Sequence, residues 1–293
     1  MMRAASDGTR LQQWFEAQRL RAPAPARAWY AALAFGIAVL LFGIKLAQIF
    51  PATGAGFADG YGSPVLAFEF ARGQADLLAV FGRESDPLQV ARLAAMRAGN
   101  EGDCLFLLFY AGFLACGIYA LWRELRSRVL FAAIALPLAA ALCDAWENAL
   151  LFEIQSAFTL GDYSPSMASL PGPAGAKFVL LGLANLVIAY GMTELGPRWQ
   201  LPASLVMAPT ITIPMALVSP PAFGWTLPAA VGAGWIGLFA LAAIGSWRAL
   251  AHGRPLADFE PAPPPRRTAP PRELAPITSA SRFGRKRLRH DHL

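Results

Sequence analysis

The chain has 293 residues, 56% of them hydrophobic and 15% charged, with a formal net charge of +6. So small a charged fraction, against about 25% in ordinary soluble domains, excludes a soluble globular protein and places the chain in a membrane. The positive balance does not point to nucleic acid, because the basic residues fall where membrane topology alone requires them.

Residues 1–27 form a basic segment that carries Arg3, Arg10, Arg19, Arg21 and Arg27. An apolar window near 29–50 follows, long enough to cross a bilayer. Small residues come after it at Ala52–Ala55. Its apolar core nevertheless exceeds the ~7–15 residues of a signal-peptide core, so a retained helix is expected. The loop 51–103 has structure of its own. Ser63-Pro64 opens an apolar-periodic stretch through Phe81 that stops at Gly82, and Asp86-Pro87 has the cap chemistry of a second helix reaching about Ala98. Such amphipathic helices lie in the headgroup plane or line a solvated loop.

Further apolar windows fall near 104–122, 129–152, 175–195, 202–219 and 226–247. The expected fold class is therefore all-α, a polytopic helical membrane protein with six transmembrane helices and a membrane domain over 28–250. The fifth window is the weakest, because Pro209 and Pro214 interrupt it and Pro220-Pro221 close it. Arginine placement gives the orientation. Arg123, Arg126, Arg128 and Arg198 lie on the same side as the basic N-terminal segment, and the connections 153–174 and 220–224 contain no Lys or Arg. This positive-inside pattern predicts that both termini are cytoplasmic.

Residues 251–293 are rich in Pro and Arg, a composition that builds no core and predicts disorder. The cluster Arg282, Arg285, Lys286, Arg287 and Arg289 suits anionic lipid of the inner leaflet. The three histidines, His252, His290 and His292, fall in this tail. Cys104, Cys116 and Cys143 fall in spans without metal-ligand spacing. No cofactor motif, nucleophile motif or metal site is therefore expected.

The third window holds the chemistry. Asp144-Ala145-Trp146-Glu147-Asn148 puts two acids and an amide inside an apolar helix, where carboxylates persist only if they are paired, face a water-filled cavity or perform a task. At 1.5 Å per residue from Val129, Asp144 lies about 22 Å along the span, in the outer third of the bilayer. Glu147 and Asn148 follow at i+3 and i+4, so the three share one face, with Pro137 two turns inward and Trp146 pointing elsewhere. Partners at that depth are Lys45 on the first helix, Asp103 at the start of the second and Lys177 at the start of the fourth, with Glu69 and Arg72 approaching from the loop. Lys45 also has the alternative of snorkelling to the outer headgroups. Asn185, deeper in the fourth helix, suits an interhelical hydrogen bond.

Phe68-Glu69-Phe70-Ala71, then Asp103-Cys104-Leu105-Phe106 with Tyr110 one turn on, then the Asp144–Asn148 motif and Lys177-Phe178 resemble a group of small bacterial integral membrane proteins. Those proteins have four helices and no assigned biochemistry. The resemblance covers roughly residues 28–195, and the order of the motifs is its specific part. It implies a multi-pass protein of a bacterial inner membrane in which Glu69, Asp103, Asp144, Glu147, Asn148 and Lys177 act together. The fifth and sixth helices and the tail depart from the four-helix pattern.

Three readings of the cluster follow. An outward-facing polar pocket would bind a small polar molecule, a cation or a lipid headgroup, for transport or sensing. Paired carboxylates would alternatively divide acid and base roles on a lipid-borne substrate. A buried ion-pair network would merely fix the packing of the helices.

Overall fold

The computed structural model describes residues 26–163, 165, 167–252 and 256. The basic N-terminal segment before Ala26, His290, His292 and the tail's basic cluster lie outside the described residues.

Among the described residues six helices are long and apolar enough to span a membrane. The first span is α1 (Ala26–Ile49). Two short helices follow, α2 (Pro64–Glu69) and α3 (Gln74–Phe81), and then the second span, α4 (Gln89–Leu125). The third span combines α5 (Arg128–Ala133) with α6 (Ala135–Thr159), and the fourth is α7 (Pro171–Glu194). The fifth is assembled from α8 (Gln200–Met207), a 3₁₀ turn and α9 (Thr212–Val218). A single turn, α10 (Pro220–Phe223), precedes the sixth span, α11 (Thr226–His252).

Local chemistry accounts for the irregularities. Proline has no N–H to donate and clashes with the preceding turn, so Pro209 breaks α8 from α9, and the interruption at Ile134 lies one turn before Pro137. Helix α4 ends where Arg126 turns left-handed, with φ +57°, the one non-glycine positive φ among the described residues. The Ser63 hydroxyl accepts from the Leu66 N–H at 3.2 Å and Pro64 fills the first helical position, so α2 starts where the sequence predicts.

The outer loop departs from expectation in three ways. The stretch from Ser63 to Gly82 is two helices, because the Asp76 carboxylate accepts from the N–H groups of Arg72 at 2.8 Å and Gly73 at 3.2 Å and holds an extended corner between them. The helix expected from Asp86 to about Ala98 is continuous with the second span, which gives α4 its 37 residues. The loop helices are neither surface-lying nor simply solvated. Phe68, Leu77 and Phe81 are buried with Met96, Leu151, Ile154 and Phe158 in a second apolar core outside the main one. There Phe81 sits 5.1 Å from Phe68 and 5.3 Å from Phe158, ring centre to ring centre.

In the membrane region α1 packs on α4, α6 lies between α4 and α7, and α11 rests on α1 and α7. Large apolar side chains such as Leu40, Leu41, Leu142, Ile211 and Ile236 are exposed around the bundle. That is the surface a protein presents to hydrocarbon and not to water. At the inner end the buried Glu124 carboxylate accepts from the Trp29 indole N–H at 3.2 Å and from the Leu256 N–H at 3.1 Å. Arg198 and Arg248 donate to the Leu256 carbonyl at 3.0 and 3.1 Å. Leu256 is thereby fastened to the end of the bundle where α1 begins and α4 ends.

Candidate functional site

Helix α6 contributes Asp144, Glu147 and Asn148 from one buried face, as the i, i+3, i+4 spacing requires, while Trp146 is exposed. Helix α7 begins with proline at its first turn, and its second turn carries Lys177, only 6% exposed, into the same space. Helix α2 ends on the buried Glu69. Packing of α2 against α6 and of α6 against α7 therefore assembles a site from three separate elements.

The Lys177 ammonium is its centre. Nζ lies 3.3 Å from Glu69 Oε1, 3.1 Å from Asp144 Oδ1 and 2.7 Å from Glu147 Oε2. The first two are hydrogen bonds in which the ammonium donates. The contact to Glu147 Oε2 is the shortest of the three, while Glu147 Oε1 and Glu69 Oε2 are buried without a donor. Asp144 is better supplied, because its Oδ2 also accepts from the Tyr110 hydroxyl at 2.8 Å. Beside this group the Asn148 amide donates to Asp103 Oδ2 at 2.8 Å.

Charge decides what the arrangement can do. Three carboxylates around one ammonium leave two negative charges uncompensated if all are ionised. Glu147 is 1% exposed, so water does not screen them. For Glu69, which lies outside the spans, burial pushes the carboxyl above its ordinary range, against the pull of the Lys177 charge. Among the described residues no three His, Cys, Asp or Glu side chains are disposed to hold a metal ion.

Of the residues expected at the site, Glu69, Asp103, Asp144, Glu147, Asn148 and Lys177 come together. Lys45 does not. It is exposed on α1 and makes no ion pair with the cluster, so its place in the polar pocket is corrected to the lipid-facing or headgroup position. Arg72 is likewise exposed, and Glu101 pairs with Arg97 at 3.2 Å on the surface. Asn185 donates to the carbonyls of Ala230 at 2.9 Å and Val231 at 3.2 Å, a helix-to-helix tie between α7 and α11. Tyr110, visible beforehand only as part of the resemblance, is an integral member of the site. Behind it, Trp235 of α11 stacks on the Tyr110 ring at 5.5 Å and 26°.

The site is enclosed. A cleft of about 1120 Å³ opens at the outer end between α3, α4 and α6, lined by Arg83, Gln89, Arg97, Gln155, Ser156 and Tyr163, and includes no member of the cluster. No family model matches this chain, and neither a curated protein nor a solved structure shows significant similarity to it.

Proposed function

We propose that this multi-pass membrane protein uses Glu69, Asp144, Glu147 and Lys177 to take up and release a cation, in the simplest form a proton, and that the charge state of the cluster sets how firmly α2 is held on the bundle. The observation that carries the reading is the charge balance, three buried carboxylates around one buried ammonium, with Glu147 Oε1 and Glu69 Oε2 buried and lacking a donor. A proton relieves that imbalance without requiring space, and space is what an enclosed site lacks. Protonated, Glu147 becomes a donor, and a neighbouring carboxylate with a free oxygen, Glu69, is a natural acceptor. Release of the proton would restore repulsion between the two acids and loosen Glu69, the one member that belongs to the outer loop. The function would then be transport or sensing linked to protons on the outer face of a bacterial inner membrane. Catalysis on a lipid-borne substrate has less support, since Asp144, Glu147 and Lys177 are almost fully buried.

Infrared spectroscopy of the purified protein in detergent provides the test. At neutral pH the wild type should display the carbonyl stretch of a protonated carboxylic acid, and Glu147→Gln or Glu69→Gln should remove it. A spectrum with only ionised carboxylates would overturn the proton reading. The ion-pair network as packing glue would then stand, supported by the way Lys177 ties three elements together.

A further inference from the structure

Helices α1 and α11 are in contact at their inner ends and part at their outer ends. A methyl group added at Gly245 would lie 2.8 Å from the Trp29 ring, and one at Gly36 would lie 2.7 Å from Phe239 and 3.0 Å from Phe113, so here only glycine lets the helices touch. One turn or two further out the contact is gone. A methyl at Gly43 would meet nothing closer than Phe106 at 3.7 Å, and one at Gly232 nothing within 4 Å. Phe106 of α4 and Trp235 of α11, 6.0 Å apart, line the space that this leaves. The result is a crevice of about 470 Å³ lined by glycines and apolar side chains, among them Val39, Gly43, Ile44, Phe106, Trp235 and Ile236. At its rim Leu40, Ile44 and Ile236 are exposed, so the crevice opens sideways from the bundle.

We propose that this crevice is a lipid-binding site that holds one acyl chain of an outer-leaflet phospholipid between α1 and α11. The one polar group on the lining side chains is the Trp235 indole N–H, too few for a water that needs about 2–4 partners. An empty slot would forfeit the dispersion contacts of its walls. On α1 the lining runs from Gly36 to Ala47. That is about 16 Å at 1.5 Å per residue, close to half of the ~30 Å hydrocarbon core and so the depth of one leaflet. With the N-terminus cytoplasmic, that half is the outer one. The seated chain has a route of influence on the charge cluster, because its wall Trp235 stacks on Tyr110, whose hydroxyl holds Asp144. The lipid site itself does not depend on the proton reading, and the experiment below reads it separately.

The full chain is reconstituted in vesicles of phosphatidylcholine brominated at mid-chain, and quenching of Trp235 is taken as the difference between the wild type and Trp235→Phe. Quenching of Trp235 is expected, together with its loss in Gly232→Leu, whose new side chain enters open space and fills the crevice. Gly43→Leu, which fills the slot from the opposite wall, should do the same and serves if Gly232→Leu fails to accumulate. Native mass spectrometry of the detergent-extracted wild type should show one retained phospholipid per chain that the filled variants lack. Absence of Trp235 quenching, or quenching and lipid retention unchanged by both fillings, would overturn the proposal.

Discussion

The inner and outer halves of the bundle are held by different forces. In the inner half, glycines let backbones and rings meet: Gly36 on Phe239, Gly245 on Trp29, Gly117 on Leu238. In the other half α1 and α11 have separated, and to the approach of α1 on Gly99 and Gly102 of α4 are added one ammonium shared among three carboxylates and the aromatic core under α2 and α3. The contrast teaches where change can occur. Close packing in hydrocarbon varies little with solution conditions, whereas a charge cluster responds to every proton gained or lost. The half that carries the charge cluster is therefore the half whose cohesion can vary with pH.

The comparison breaks most severely at Lys177. Lys177→Met leaves three buried carboxylates without a counter-charge, and loss of one partner of a buried ion pair costs about 3–5 kcal/mol. A large fall in the midpoint of thermal unfolding in detergent is expected, partly recovered on adding Asp144→Asn and Glu147→Gln. A Lys177→Met protein as stable as wild type would deny the cluster any hold on the outer half. Next in size is the inner seam. Gly245→Leu drives a side chain into Trp29, and overpacking of this kind costs about 1–3 kcal/mol. This loss should be the same at all ionic strengths, while the loss at Lys177 should vary with pH. Trp29→Phe removes a hydrogen bond to a buried carboxylate that keeps the Leu256 N–H, at a comparable cost of about 1.5–3 kcal/mol. Protease sensitivity of the tail would report that loosening.

Smaller still is the effect at Glu69, where the sign is informative. Its folded value is raised above the ordinary 4.5 by burial. Its contribution to stability is therefore full below the unfolded value and is lost as pH rises through the folded one. Glu69→Gln should flatten that decline in a series of melting curves, and a decline of unchanged slope would remove Glu69 from the responsive group. The smallest expected effect is Lys45→Met. An exposed lysine outside the cluster should change stability by no more than about 0.5 kcal/mol. A larger drop would return Lys45 to the site.

Much of the site was legible in the sequence because its grammar is local. Asp144, Glu147 and Asn148 share a helix face by spacing alone, and Lys177 has the right depth. Lys45 has the same depth and fails for a reason that depth does not contain, namely which face of α1 turns inward. Its neighbour Leu46 is the buried one. The six spans followed from apolar length, but the extent of the second did not. The loop helix was expected to end near Ala98, yet α4 runs on through Gly99, Asn100 and Gly102, where Phe50 occupies the space beside Gly99 and Leu46 lies 2.7 Å from a methyl placed at Gly102. Those glycines serve a close approach of α1 and not a stop. Glu124 was hidden by its company, since an acid between Arg123 and Arg126 looks like one more interfacial charge until its partners Trp29 and Leu256 are in place. Two short apolar runs in a loop likewise do not announce that they will share a core with Met96 and Phe158.

The unbroken α4 gives the molecule a lever. At 37 residues it is about 55 Å long, against a hydrocarbon core of ~30 Å. One rod thus carries the Leu93 carbonyl that accepts from Gln155 near the end of α6, Tyr110 at the charge cluster and Glu124 at the opposite end. A tilt of about 5° about one end swings the other by about 5 Å for a rod of this length. A displacement of the loop on one side of the membrane would therefore arrive, without any helix melting, at the carboxylate that fastens Leu256 on the other.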